Sequence, residues 1–484
     1  MAKQSRYQDF PLAPRPAGVP IHRWLYAELR RCVVEGRVRP GARLPSTRSL
    51  ARQQSIARAT VVEVFEQLQI EGYLVGRVGS GTAVARELPD RFVLAAHPPA
   101  RPGPVAPKPA ETAVRAAHGA TRPRVFTVCE PASDIFPLKA WAQLMARRLR
   151  IGGHALLDKG DPRGWRPLRE AVSAYLNSAR SVRCSPEQVV IVSGTQQALD
   201  LTARLLLKPG DPVWVENPGY GGAAGAFRAA GARLVPVPVD QAGFNPAAAL
   251  RREPAPRLAY VTPAHQFPLG VALSLERRLA LLALANRHDF RIFEDDYDGE
   301  YRYDVRPLGA LQGHDHSGRV IYAGSFNKLL FSSLRLGYLV LPADLVDPLL
   351  ALRDCVDRYP PTLEQAVLAD FFLEGAFERH IRTSRAIYLE RRDVLLAAAR
   401  RCLTGLVEMQ STDAGFHLLG WLQGKITDLQ AEARAAEHDV RVTPLSGFYL
   451  EKPVRNGLLL GFSASKPAAI TAGVERLARA LAGA

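Results

Sequence analysis

Five carboxylates crowd into one short stretch, FEDDYDGEYRY, residues 293–303: Glu294, Asp295, Asp296, Asp298 and Glu300. Charges packed this densely repel one another unless a cation or a bound proton answers them. They follow the apolar run that ends at Phe293, so they fall where a buried strand would reach its end. A protonated pyridine nitrogen would answer Asp295, and Tyr297 would then address a phenolic oxygen of the same ring. Thirty-three residues after Asp295 stands Lys328, the one lysine of YAGSFNKLLFSSLR, in a chain that carries most of its positive charge on arginine. A lysine amine beside such carboxylates can form a Schiff base when burial and a neighbouring cation favour its neutral form. Ser325 and Arg335 flank Lys328 at spacings suited to a phosphate. In VSGTQQALDL, Gly194, Thr195 and Gln196 open a helix, and would present amides and a hydroxyl to the same anion. Tyr220, in VENPGY, offers a flat ring to stack on another. Each feature alone has an ordinary explanation: a solvated acidic loop, a surface lysine, a buried tyrosine. Together they are what a phosphorylated pyridine aldehyde needs, namely an electron sink held at its nitrogen, an amine for its aldehyde and a cradle for its phosphate.

These residues need a scaffold that brings successive strand ends together. Beyond about Val125, helical patterns alternate with the short apolar runs VVIVSG, PVWVENP, LAYVTP, RIFEDD, RVIYAGS and GYLVLP. The alternation predicts a large α/β domain over 125–484 with a mostly parallel sheet, whose ligands gather at strand ends. Residues 87–124 are rich in Pro and Ala without an apolar period, and read as a partly extended linker.

Residues 1–86 read as a separate unit. The segment from Pro20 to Gly36 places Ile21, Leu25, Leu29 and Cys32/Val33 on one helical face. Ser46 is a helix N-cap candidate, Val61, Phe65 and Leu68 mark a third helix, and YLVGRVGSGTAVA is a hairpin signal about a Gly-Ser-Gly turn. Three helices and a hairpin in this order predict an α+β winged helix-turn-helix. The unit holds 14 Lys and Arg against 6 Asp and Glu, half the net charge of +16 of the whole chain. Such a basic patch suits double-stranded DNA, and equally a solvated basic face. On a helix-turn-helix, Arg58 and Thr60 would open the helix that reads base edges, with Ser46 and Arg48 on the phosphate backbone and Arg77 and Gly79 in the wing.

RPGARLPSTRSLARQQSIARATVVEVFEQLQIEGYL, residues 39–74, resembles the GntR family of winged-helix repressors. The resemblance implies DNA contacts at Arg48, Arg58, Thr60 and Gly79, with Arg43 and Arg77 beside them. Where that family usually has a glycine in its turn this chain has Ser55, which implies a somewhat different turn. From about residue 125 onward the chain resembles the fold type I aminotransferases. VTPAHQFPLG, EDDYDGEYRY and YAGSFNKLLFSSLRLGYLVLP are similar to the MocR subfamily, in which the two domains are fused. The resemblance implies pyridoxal 5'-phosphate as cofactor, Lys328 as the Schiff-base lysine, Asp295 on the pyridine nitrogen and Tyr297 on the ring oxygen. It implies Ser325, Arg335 and Thr195 at the phosphate, Tyr220 near the ring, and a head-to-tail homodimer. His265 and Gln266 lie in a segment characteristic of the subfamily. Three positions depart from the pattern: Lys159 where relatives carry a tyrosine, Asn327 where a serine precedes the lysine, and Leu459 where aminotransferases place the arginine that grips a substrate carboxylate. Arg455 stands four residues before it.

Five scattered cysteines with no C-x-x-C spacing argue against a disulfide framework or zinc site, and no apolar run is long enough to span a membrane. The expectation is a cytoplasmic, DNA-binding regulator that senses pyridoxal phosphate or an amine. The alternatives are an active aminotransferase with a fused DNA-binding domain, and a cofactor-free dimer scaffold.

Overall fold

The computed structural model describes residues 12–77, 81–88, 125–303 and 309–482. The chain divides into two compact units, Met1–Pro109 and Ala110–Ala484. Residues 89–124 of the linker and Gly79 lie outside the described residues.

In the first unit, α1 (Ile21–Val34), α2 (Thr47–Gln53) and α3 (Arg58–Ile70) precede an antiparallel hairpin of β1 (Leu74–Arg77) and β2 (Gly81–Val84). Its core gathers Leu25, Leu29, Cys32, Val61, Phe65 and Leu68. Ile21 is the exception to the anticipated stripe: at the first position of α1 it is 38% exposed. Ser46 caps α2 by accepting from the Ser49 amide at 3.1 Å. The turn after α2 corrects one expectation, because Ser55 takes the left-handed conformation itself (φ +53°). The Ile56 amide donates to the Ala51 carbonyl and the Ser55 amide to that of Arg52, the pair of bonds that closes a helix at a left-handed residue. The backbone is thus the one a glycine would favour, held by a serine at some steric cost.

The second unit is built on an eight-stranded sheet. Its strands are β3 (Val189–Val192), β4 (Pro212–Asn217), β5 (Arg233–Asp240), β6 (Gly243–Phe244), β7 (Leu258–Val261), β8 (Arg291–Asp296), β9 (Val320–Ser325) and β10 (Gly337–Val340). Their order across the sheet is 3-10-9-8-7-4-5-6. β5, β4, β7, β8 and β9 run parallel, while β10 is antiparallel to both its neighbours. All six of the apolar runs read from the sequence are strands of this sheet. Strands β3, β7, β9 and β10 are buried along their whole length, which is why they read as continuous apolar runs without alternation. A second, antiparallel sheet was not foreseen: β11 (Val407–Gln410), β12 (His417–Leu422), β13 (Thr443–Pro444) and β14 (Gly457–Gly461), in the order 11-12-14-13. It follows a 27-residue helix, Ala376–Cys402. Among the described residues no helix is long and apolar enough to cross a membrane.

Candidate functional site

A pocket of about 320 Å³ opens at the C-terminal ends of β3, β4, β7, β8 and β9. All nine residues singled out for the cofactor line it: Gly194, Thr195, Gln196, Tyr220, Asp295, Tyr297, Ser325, Lys328 and Arg335. They arrive there for one reason. β3 and β9 point the same way because each is antiparallel to β10 between them, so the turn after each parallel-running strand empties onto the same edge.

The crowded carboxylates separate by the two-residue period of a strand. Asp296 faces away from the pocket and meets the guanidinium of Arg180 at 2.5 and 3.1 Å, with the Tyr322 hydroxyl donating at 2.7 Å. This buried arginine, 116 residues away in sequence, is the cation that answers Asp296. Asp298 accepts from His265 Nδ1 at 2.8 Å, and Glu294 accepts the Leu311 and Gln312 amides. Only Asp295 turns to the pocket. Tyr260 donates to its Oδ2 at 2.8 Å, whereas Oδ1 is buried with no hydrogen-bond partner. Burial, with Asp296 and Asp298 adding repulsion, pushes its pKa up to about 7, and the hydroxyls of Tyr260 and, more weakly, Thr195 counter only part of this. An unsatisfied carboxylate oxygen, 4% exposed and facing a cavity, is in want of a donor, and a cationic one would suit it best.

Lys328 Nζ donates to the Cys129 carbonyl at 2.7 Å, which anchors the amine at the pocket wall. Other lining residues suit an anion. Thr195 and Gln196 begin the helix Thr195–Leu206, whose N-cap Gly194 supplies no side chain, and Ser325 and Arg335 close round it. Arg335 sits at φ +54° and makes no hydrogen bond or ion pair among the described residues. Gly194, at φ +136°, has no room for a side chain: a Cβ would lie 2.6 Å from Asn327 Nδ2. Asn327 explains its own departure from the family pattern. Its amide donates to the Ser193 carbonyl at 3.1 Å and its oxygen accepts the Leu336 amide at 2.9 Å, tying the loops that carry Gly194 and Lys328 together. A lysine, a buried carboxylate with one unpartnered oxygen and a glycine-walled anion cradle in one cavity fit pyridoxal phosphate.

The subsidiary residues fall behind the pocket. His265 Nδ1 lies 3.1 Å from the Tyr297 hydroxyl as well as bonding Asp298, so it braces Tyr297. Gln266 is fully buried and donates to Glu216 and to the Pro218 and Phe267 carbonyls, a clamp on the loops rather than a pocket residue. Glu216 itself is pushed up to about 7 by burial. Lys159 is exposed and does not line the pocket. Leu459, on β14, is fully buried in an apolar cluster with Phe267, Leu419 and Leu445, against which Tyr220, Tyr297 and Phe448 pack. Arg455 is engaged elsewhere, paired with Glu408 at 2.8 Å and stacked over Trp421 at 4.7 Å. Sequence reasoning missed Tyr260, Thr262, Phe267, Ser332 and Phe448 among the lining residues. Tyr260 was accessible to it: it lies on β7 beside β8, on the face that a parallel neighbour shares with Asp295.

In the first unit, Arg58 opens α3 and is exposed, its Nε 3.5 Å from the Thr47 hydroxyl at the start of α2, so the two helix starts lie together. Ser46 and Arg48 are exposed at the start of α2, and Thr60 is half-buried in the first turn of α3. Arg43 is exposed and bridges the wing strand at Ala83, while Arg77 ends β1 opposite Gly81. The first turn of α3 holds no acidic residue and its N-cap, Ala57, makes no side-chain cap, so its amides are free for an anion.

Residues 22–84 match the gntR family of bacterial regulatory proteins, and residues 127–477 match the class I and II aminotransferases. The chain is 40% identical to the probable rhizopine catabolism regulatory protein MocR of Rhizobium meliloti, over 96% of this chain and 94% of that one. It is 33% identical to the HTH-type transcriptional regulator TauR of Rhodobacter capsulatus, over 98% and 99% of the two chains. Among solved structures, LysN, an α-aminoadipate aminotransferase from Thermus thermophilus complexed with N-(5'-phosphopyridoxyl)-L-leucine, aligns with a TM-score of 0.69 and 31% identity, covering 74% of this chain and 92% of that one. A winged helix of the gntR type joined to a fold type I aminotransferase domain, in an order shared nearly end to end with MocR, makes this chain a member of the MocR subfamily of GntR-type transcriptional regulators.

Proposed function

We propose that this protein binds operator DNA through its winged helix and senses pyridoxal phosphate, or an amine that reacts with it, through Lys328. When bound, pyridoxal phosphate supplies an aldehyde that can hold a primary amine covalently and a ring nitrogen that takes up positive charge. In this reading Asp295, ionised, accepts the ring N–H on its otherwise unpartnered Oδ1. Tyr297, braced by His265, would address the ring oxygen, and Tyr220 would lie near the ring. Thr195, Gln196, Ser325 and Arg335 would hold the phosphate, and Lys328 Nζ, now bonded to the Cys129 carbonyl, would be the amine offered to the aldehyde. Arg58 and Thr60 read bases while Ser46, Arg48, Arg43, Arg77 and Gly79 hold the backbone of the duplex. Occupancy at Lys328 favours one arrangement of the large domain and thereby shifts the affinity for DNA, a coupling that is reciprocal between the two ligands. A cytoplasmic homodimer fits the same reading: Leu138, Leu149, Ile151 and Leu157 are large apolar side chains left exposed on one short stretch.

The observation that carries the proposal is the convergence of a buried carboxylate with one unpartnered oxygen, a lysine and an anion cradle on one cavity. The test is Lys328→Ala. It is expected to lose the visible absorbance of lysine-bound pyridoxal phosphate and the response to effector, while keeping basal DNA binding. A variant that still responds normally would rule out covalent sensing.

A further inference from the structure

Among the described residues the pocket offers one anion-binding end. Among the described lining residues the cations are Lys328 and Arg335 alone. On the reading proposed above, Lys328 meets the aldehyde and Arg335 the phosphate, so neither remains for a second anion. Apart from Asp295, which this reading gives to the ring nitrogen, the rest of the described lining is apolar or neutral. Phe267 packs edge-on against Phe448 at 5.1 Å and against Tyr220 and Tyr297 at 6.1 Å, and Leu459 backs this aromatic wall from β14. Arg455, the nearest arginine in sequence to Leu459, is held by Glu408 and Trp421. The charge nearest the Ser332 hydroxyl is negative: Ser332 donates to Glu130 Oε1 at 3.0 Å.

A carboxylate placed here would lose water and gain no counter-charge, a cost that burial makes severe. An amine without a carboxylate would lose nothing of the kind and would gain the aromatic wall. We infer that the effector this pocket selects is a primary amine lacking a carboxylate, with an uncharged body that lies against Phe267, Phe448 and Tyr220. This rests on the assignment of pyridoxal phosphate to the pocket. The chemistry is an exchange at the aldehyde carbon. The incoming amine nitrogen forms its C=N bond as the C=N bond to Lys328 Nζ breaks, and the protons that the incoming amine gives up end on the freed lysine. Nothing is oxidised or reduced.

The test uses the full-length protein loaded with pyridoxal phosphate and two matched pairs, phenethylamine against phenylalanine and ethanolamine against serine. Each pair differs only by the carboxylate. The half-saturating concentration is read from the visible absorbance and, independently, from the thermal shift of the loaded protein. In each pair the amine is expected to act at a concentration at least about tenfold lower, the minimum cost of an unmet charged hydrogen-bonding group. Leu459→Arg is expected to close that gap by supplying the counter-charge, and Leu459→Met, neutral and of similar volume, to preserve it. Amino acids acting at equal or lower concentrations than their amines would overturn the inference, as would a band that neither class perturbs. The wild-type comparison stands even if Leu459→Arg fails to fold. Absence of any visible band after adding pyridoxal phosphate would overturn the cofactor assignment and this inference together, whereas a normal band with amino acids preferred would overturn this inference alone.

Discussion

Asp295→Asn separates the role proposed for this carboxylate from a merely structural one, because the two predict opposite changes in two measurements. In the ligand-free protein Asp295 has a pKa of about 7 against an ordinary 3.8. An acid whose folded pKa is raised gives up stability as pH rises through the interval between the two values, because the unfolded chain ionises first. At 1.36 kcal/mol for each unit, some three units amount to about 4 kcal/mol held against the empty fold above pH 7. Asparagine cannot ionise and preserves the shape, and its oxygen can still accept the Tyr260 hydroxyl that now reaches Oδ2. The empty variant should therefore be more stable than the wild type above pH 7, by up to a few kcal/mol, with the difference shrinking toward pH 4. The loaded protein should show the reverse. The amide nitrogen then sits where Oδ1 lacks a partner, and a donor would face the ring's own donor. Losing a charge-assisted hydrogen bond of about 1.5–3 kcal/mol weakens binding by roughly 10- to 150-fold. Wild-type affinity should also fall below pH 7, by at most about tenfold per unit, because Asp295 must first lose its proton, and the variant should lack that slope. Thermal unfolding of the empty protein and titration with pyridoxal phosphate by visible absorbance measure the two effects. A variant that binds as tightly as the wild type, or is less stable when empty, would refute the argument.

Gly194→Ala should force Asn327 from its bonds to Ser193 and Leu336, at a cost of roughly 1–3 kcal/mol in local strain, and weaken binding of pyridoxal phosphate at least tenfold while changing that of unphosphorylated pyridoxal much less; comparative titration of the two would show it. Ser55→Gly should stabilise the first unit by about 0.5–1 kcal/mol, because glycine adopts φ +53° without the serine's steric cost, less what it loses in chain entropy; hydrogen exchange of the Val61, Phe65 and Leu68 amides reads the change. Arg58→Ala should cost about 1–3 kcal/mol of preference for operator over scrambled DNA, with binding of both still falling steeply with salt; an unchanged ratio would remove Arg58 from base readout.

The residues that could be read directly from the sequence were those whose task follows from a strand's end. Once RIFEDD, RVIYAGS and VVIVSG are recognised as buried strands, the residues after them must share an edge, and so Asp295, Lys328, Ser325 and Gly194 come together without any knowledge of distance. What stayed hidden was the far side of each interaction. Asp296 and Asp295 look alike in sequence, yet alternate faces separate them, and the cation that answers Asp296 is Arg180, on a segment whose position no local pattern reveals. The second sheet was missed for a related reason: His417–Leu422 and Gly457–Gly461 pair across the 34 residues of unrelated pattern between them, and only that pairing brings Leu459 against Phe267 and the pocket wall. This matters for function, because the two walls carry different information. The wall formed by the strand ends is assembled from short-range motifs and holds the groups a pyridine aldehyde needs. The wall formed by the antiparallel sheet depends on long-range packing and decides what may lie beside it. A substitution such as leucine for arginine at position 459 leaves every motif of the first wall intact while altering the second. On the function proposed above, cofactor and effector are chosen by separate parts of one pocket, and the effector would change in a related chain while Lys328 and Asp295 stay as they are.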